Sequence, residues 1–297
     1  LISQLGYLVT VNVATSAAVR SAQEGFITGV GYTPYTYAYF VMLLPYSIVT
    51  ISIITAILPH ISKLAVDGKH EEVKAQLIRA IRLVGVITVP SAVAFLLFGS
   101  LITEVIFIGI PTDDSRYIGY VLSALSFGLV AFSINLILIR GFNAFEDTKT
   151  QVISILIINI ISSVLSYVFL ATVKSEHVTI GLGIAFAVSY IIGLVVTISL
   201  LGKHVGKFEY SHFLGQHLRL YLASFTAMLP FFALAYFLGW NNDDAKPLIG
   251  VLRLAFVLAG GGAGFLVIAH ALKITEIATL KEFAISLLSK RKSARKR

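Results

Sequence analysis

The stretch that most constrains this chain is Thr33 to Ile61, TPYTYAYFVMLLPYSIVTISIITAILPHI, which is long enough to cross a bilayer and carries no charged residue. A hydrocarbon core takes about 20 apolar residues of helix to span. In lipid the backbone must satisfy its own hydrogen bonds, so such a stretch folds as a helix. Pro45 sits in its middle, removes one backbone donor and crowds the preceding turn, which predicts a bend there. A bent helix in a bundle suggests movement.

The same reading applied along the chain predicts eight spans, near Ile2–Val19, Tyr35–Ile61, Leu83–Ile108, Tyr117–Ile139, Val152–Val173, Ile180–Leu201, Leu218–Leu238 and Leu248–Leu272. Short loops join them, as in a bundle of antiparallel neighbours. With 57% hydrophobic and 13% charged residues and a mean hydropathy of +0.88, no stretch reads as a soluble domain. The fold class is all-α, a polytopic membrane helical bundle. The chain begins at Leu1 inside an apolar run with no basic leader, and is read as lacking an N-terminal part. The absence of cysteine excludes disulfides, thiolate metal sites and cysteine nucleophiles.

The net charge of +8 sorts by loop and forms no nucleic-acid patch. Eighteen of the 23 Lys and Arg residues fall on one side, against Arg20, Arg116, Lys174, Lys246 and Arg253 on the other. Positive residues stay inside, so both ends of the chain are expected in the cytoplasm. The segment Ser62 to Arg82 places Val73, Leu77, Ile78 and Ile81 at helical spacing among charges, and is expected as an amphipathic helix resting on the bilayer surface. The tail Lys290 to Arg297, KRKSARKR, follows a second amphipathic stretch and reads as an anionic-lipid contact or a dock for cell-wall assembly proteins.

Glu104 is the one carboxylate expected within a span, near its outer end. Neutral polar stripes carry the remaining signal. Asn12, Thr15 and Ser16 share one face of the first span, Tyr39, Tyr46, Ser47 and Thr50 one face of the second, and Asn159 and Ser163 are four apart in the fifth. Such faces line a cavity for a polar substrate or hydrogen-bond between packed helices. The run Gly260-Gly261-Gly262-Ala263-Gly264 lacks the Lys and Ser/Thr of a phosphate loop and predicts close helix packing. The seven histidines form no ligand spacing, so no metal site is expected.

Two motifs carry a resemblance. Tyr37, Ala38, Leu44, Pro45, Ile53, Leu58, Pro59 and Ser62 are similar to the Tyr-Ala-x-x-Leu-x-x-Leu-Pro … Ala-x-x-x-x-Leu-Pro-x-x-Ser signature of MurJ/MviN-type lipid II flippases of the multidrug/oligosaccharidyl-lipid/polysaccharide transporter superfamily. Arg140-Gly-Phe-Asn-Ala-Phe-Glu-Asp147-Thr-Lys-Thr150 resembles that family's Arg-x-Phe-Tyr-Ala-x-x-Asp-Thr-x-Thr. The resemblance covers essentially the whole chain and implies helices seven to fourteen of a fourteen-helix flippase. Residues 1–202 would form the second six-helix lobe, 203–273 the last two helices with the loop before them, and 274–297 a cytoplasmic amphipathic helix and basic tail. The family moves the lipid-linked peptidoglycan precursor from the inner to the outer leaflet of the bacterial cytoplasmic membrane by alternating access, with cationic residues holding the pyrophosphate.

The polar stripes give Asn12, Thr15, Ser16, Tyr39, Tyr46, Ser47 and Thr50 as cavity candidates; the resemblance adds Phe40, and implies Pro45, Pro59, Arg140 and Asp147 as structural or gating positions. Where the family places an acidic residue and then a cavity arginine, this chain has Tyr39 and Phe40. Where some members bind sodium, it has Asn12, Asn159 and Ser163, a weak oxygen set for that ion. Coupling to sodium or to the membrane potential is expected, with no soluble cofactor. The alternatives are a flippase of another polyprenyl-linked oligosaccharide and a non-transporting scaffold of cell-wall assembly. A membrane enzyme would need a carboxylate pair or a placed histidine, which the spacing does not supply.

Overall fold

The computed structural model describes residues 2–26, 29–240, 247–274 and 276–277. Its helices are α1 (Ile2–Gln23), α2 (Tyr32–Pro45), α3 (Ile51–Val66), α4 (His70–Ile106), α5 (Thr112–Ala144), α6 (Thr148–Thr172), α7 (Ser175–Val205), α8 (Tyr210–Phe237) and α9 (Pro247–Ala271), with a π-helical turn over Tyr46–Thr50 between α2 and α3. Helix covers each of the eight expected spans. Among the described residues, α4 to α9 supply six helices long and apolar enough to cross a membrane, and α2 with α3 passes as a seventh. α1 is the least apolar helix because Gln4, Thr10, Asn12, Thr15 and Ser16 interrupt it.

The bend falls where Pro45 predicts it. Proline cannot donate to the carbonyl one turn back, the ladder widens into the π turn directly after it, and the two halves meet at 46°. The expected surface helix over Ser62 to Arg82 is a correction. Gly68, at φ 71°, closes α3, and α4 starts at His70 and runs straight into the third span. Val73, Leu77 and Ile81 are fully buried or nearly so. Leu77 packs with Leu201 of α7 over Gly141 of α5. The apolar face that looked like a membrane contact is covered by two other helices.

α5 is the most buried of the six single spans. It forms an antiparallel hairpin with α4, crossing so closely that a methyl group on Gly119 would lie 2.5 Å from the Ser100 backbone. α7 runs parallel to α5, where Gly128 faces Ala187 and Gly183 faces Ala124. At the middle of this pair Asn135, fully buried, donates to the carbonyls of Ala131 and Tyr190 and accepts from Thr197, whose hydroxyl also meets Ser154 of α6. One polar knot thus joins three helices. α8 and α9 pack antiparallel, with Gly260 under the ring of Phe231 and Gly264 against Ala227, as the glycine run predicts.

Ion pairs hold the ends. Arg20 donates to the carbonyls of Leu170 and Val173, the orphan acceptors at the end of α6. Glu104 pairs with Arg116 at 2.8 Å. At the other end Arg82 binds Gln216 at 2.6 Å and Glu276 at 2.9 Å, tying α4 to α8 and to the segment after α9. The basic tail Lys290 to Arg297 lies outside the described residues.

Candidate functional site

α2 begins after Gly31, whose φ of 133° turns the chain and whose amide donates to Thr179 of α7. Pro34 sits in the first turn, where no intrahelical donor is needed. From this start Tyr32, Tyr35, Thr36, Tyr39 and Phe40 fall on one face, at i, i+3, i+4, i+7 and i+8. That face closes one side of a cavity of about 540 Å³. Gln4, Tyr7 and Thr10 of α1 form a second wall, Ile155, Ile158, Asn159 and Ser162 of α6 a third, and Phe186, Ser189 and Tyr190 of α7, with Leu136 and Ile139 of α5, the floor.

Among the described residues the lining is rich in aromatic side chains and carries no charged one. Tyr35 stacks on Tyr39 at 6.2 Å, Tyr39 meets Phe186 edge-on at 5.9 Å, and Phe186 lies 4.7 Å from Tyr190. At the mouth the hydroxyls of Tyr7 and Tyr32 bond across the gap between α1 and α2. The small hydroxyls are used up locally: Thr10, Thr36 and Ser189 donate to carbonyls of their own helices. Asn159 donates to Ile155 and presents its oxygen to α1 where Gly6 leaves room, since a methyl group there would sit 2.0 Å from Oδ1. Among the described residues, the hydroxyls of Tyr35, Tyr39 and Tyr190 have no hydrogen-bond partner.

Of the eight cavity candidates, Tyr39 and Phe40 line this space. Thr15 is exposed and Ser16 half-buried, about a quarter and about half a turn around α1 from Tyr7. Tyr46 packs edge-on against Phe132 at 5.0 Å. Ser47 donates to Leu44 of its own helix, and Thr50 is fully buried with its hydroxyl unpartnered among the described residues. The ion-site candidates do not converge. Asn12 meets the hydroxyl of Tyr167 at 3.5 Å, while Asn159 faces Gly6, six residues and about 9 Å earlier along α1. Ser163 is half-buried on α6. Among the described residues no three His, Cys, Asp or Glu side chains gather as a metal site.

The signature positions lie at helix breaks and ends. Pro45 precedes the π turn and Pro59 is exposed inside α3. Arg140 has a buried Nε without a partner among the described residues, within electrostatic reach of Tyr46. Asp147 caps α6 by accepting from the Thr150 amide at 3.0 Å and pairs with His204 Nε2 at 2.7 Å. Its bonds with Thr150, then that with His204, hold the Asp147 carboxyl down at about 2. His204 in turn stacks on Phe145 at 5.1 Å, and its carbonyl accepts from the His70 ring. Sequence reasoning missed Tyr7, Tyr35 and Tyr190; the signal available was tyrosine recurring at helical spacing in α2.

A family model described as lipid II flippase MurJ matches residues 1–248. A lipid II flippase MurJ from Burkholderia cenocepacia is 26% identical over 186 residues, 62% of this chain and 34% of the relative. A probable lipid II flippase MurJ from Rickettsia prowazekii is 30% identical over 192 residues, 63% of this chain and 36% of the relative. The matched stretch thus spans about a third of these curated relatives. A solved structure titled lipid II flippase MurJ, inward closed conformation, superposes with a TM-score of 0.66 at 22% identity, over 93% of this chain and 52% of that one, and shares the fold. With the family model matching 248 of 297 residues, the chain belongs to the MurJ lipid II flippase family.

Proposed function

We propose that this chain forms one lobe and the final helix pair of a transporter that carries the lipid-linked peptidoglycan precursor from the inner to the outer leaflet of the bacterial cytoplasmic membrane. The observation that carries the reading is a cavity walled by α1, α2, α6 and α7 inside a chain that matches the MurJ family over residues 1–248. The break at Pro45 supports alternating access. A helix with a π turn can change its bend without breaking its flanking ladders, while the α4, α5 and α7 core moves as one body. No bond of the substrate is made or broken in this reading. The positive-residue asymmetry supports both chain ends in the cytoplasm. The separation of Asn12 from Asn159 argues against a sodium site built from that pair.

Complementation of a strain depleted of its lipid II flippase by the full-length gene tests the proposal. Growth restored on membrane expression is the expected result, and failure with the protein present in the membrane overturns it. Phe40 favours a second reading, a flippase of another polyprenyl-linked oligosaccharide, because it stands at the cavity mouth where the family resemblance places an arginine. Restoration of a different lipid-linked glycan pathway by the same gene would select that reading.

A further inference from the structure

We propose that a second pocket, at the Trp240 end of the bundle, binds the headgroup of a phosphatidylethanolamine-type lipid, a phosphate ester that carries a primary ammonium. It stands apart from the cavity of α1, α2, α6 and α7 and owes to the transporter reading only its leaflet, which the charge asymmetry makes the outer one. The pocket is built on the turn between α4 and α5, which Gly109 closes at φ 103° and Thr103 anchors by donating to the Ser115 carbonyl at 2.7 Å. Glu104, that turn and Thr112 form one wall, and Trp240 with Gly250 and Arg253 of α9 forms the other. The volume of about 120 Å³ is well under the about 300 Å³ at which pockets for drug-sized ligands begin, so it admits a small headgroup and not a glycan.

Among the described residues the lining carries one carboxylate, Glu104, and one guanidinium, Arg253. A lone anion would meet Glu104, a lone cation would meet Arg253, and an apolar chain would strip water from both, each at a cost. A zwitterion whose charges are joined by a short link complements the pair. Arg253 lies over the ring of Trp240 at 5.2 Å, which uses the face of the guanidinium and leaves its in-plane donors to fork onto a phosphate. Glu104 holds Arg116 at 2.8 Å through Oε1, and a carboxylate has about four acceptor positions, so it also takes an ammonium N–H. What adjoins the pocket makes a lipid the source. Leu248 and Leu252, 70% and 61% exposed, lie at the same end of α9, and Tyr236 and Phe237 are exposed beside Trp240. Aromatic residues above an apolar strip mark the headgroup level of a bilayer and the start of its acyl region.

The test reads Trp240, the one tryptophan of the chain. The full chain in detergent micelles is titrated with dihexanoyl phosphatidylethanolamine, phosphatidylcholine and phosphatidylglycerol, and with soluble glycerophosphoethanolamine, while Trp240 emission is followed. A saturating change is expected with phosphatidylethanolamine, at least about tenfold tighter than with phosphatidylcholine, whose ammonium has no N–H, or with phosphatidylglycerol, which has no cation. Glu104→Gln should bring phosphatidylethanolamine down to the level of phosphatidylcholine and leave phosphatidylcholine itself unchanged, a shift in selectivity that a merely structural Glu104 would not produce. Arg253→Gln should weaken both lipids alike, by about tenfold or more. Equal affinity of the parent chain for the three lipids overturns the proposal whether or not the variants fold. So does selectivity that survives in a folded Glu104→Gln, and glycerophosphoethanolamine binding as tightly as the lipid removes the lipid as the source. Complementation reads the other question: a gene that fails to complement while its protein keeps this selectivity sinks the transporter reading and leaves the lipid site standing, and growth restored by a protein without selectivity ends this inference alone.

Discussion

Replacing Asn135 by leucine removes the amide at the centre of the α5, α6 and α7 knot while keeping its branched shape. Asn135 Nδ2 donates to Ala131 at 3.0 Å within its own helix and to Tyr190 at 3.1 Å across to α7, and Thr197 donates to Asn135 Oδ1 at 2.8 Å. Two interhelical bonds are lost. Neither strands a partner: the Tyr190 carbonyl keeps its helical donor, and the Thr197 hydroxyl still reaches Gly193 at 2.7 Å. Interhelical hydrogen bonds in membrane proteins contribute about 0.6 kcal/mol each, and the leucine gains little because the unfolded helices already lie in lipid. Asn135→Leu is therefore expected to cost about 1.2 kcal/mol, roughly eightfold in the unfolding equilibrium. Thr197→Val also loses two such bonds, to Asn135 and Ser154, and costs about the same. The double variant loses three distinct bonds, about 1.8 kcal/mol, so the cycle should show a coupling of about 0.6 kcal/mol. Equilibrium unfolding by SDS titration in mixed micelles measures all three. A neutral or stabilising Asn135→Leu with no coupling to Thr197 would refute the view that the knot holds these helices together.

The other expectations are equally direct. A methyl group on Gly193 would lie 2.2 Å from Ile158 Cγ1, so Gly193→Ala should destabilise by about 1–3 kcal/mol, and adding Ile158→Ala, which deletes that atom, should recover most of the loss in the same titration. Glu104 and Arg116 are 19% and 14% exposed, so Arg116→Leu should cost more than Arg116→Leu with Glu104→Leu, by less than the about 3–5 kcal/mol of a fully buried pair; equal costs would argue against the pair. Asp147 has its folded value at about 2 against 3.8 for the free group, so its contribution to stability is full above pH 3.8 and is lost as the pH falls toward 2. Melting temperatures across that window should fall more steeply for the parent chain than for Asp147→Asn, and parallel curves would sink the assignment.

Helix positions were legible because lipid leaves the backbone few choices. An apolar run of the right length must be helical, and Pro45 must disturb it, so the spans and the break could be read before any packing was known. The segment after Ser62 was misread because an amphipathic stripe reports that a face is covered and not by what. Val73, Leu77 and Ile81 have the same spacing whether they meet lipid or are buried by protein, as Leu77 is here by α5 and α7. Gly141 was the available clue, since a glycine on a neighbouring helix makes room for a leucine.

The site was less legible for a related reason. Polar stripes were sought among Asn, Ser and Thr, which in lipid most easily satisfy themselves on their own helix, as Ser47, Thr36 and Ser189 do. Tyrosine cannot do this. Its hydroxyl stands too far from its own backbone, so a buried tyrosine needs a partner from elsewhere, and tyrosines at i, i+3 and i+7 in α2 point one row of such needs at one place. Tyr7 and Tyr32 answer each other across the mouth, whereas Tyr35, Tyr39 and Tyr190 face the cavity. In a membrane helix the informative polar residue is the one whose group its own helix cannot reach, and by that criterion the aromatic row of α2 marks the site more clearly than the asparagines of α1 and α6.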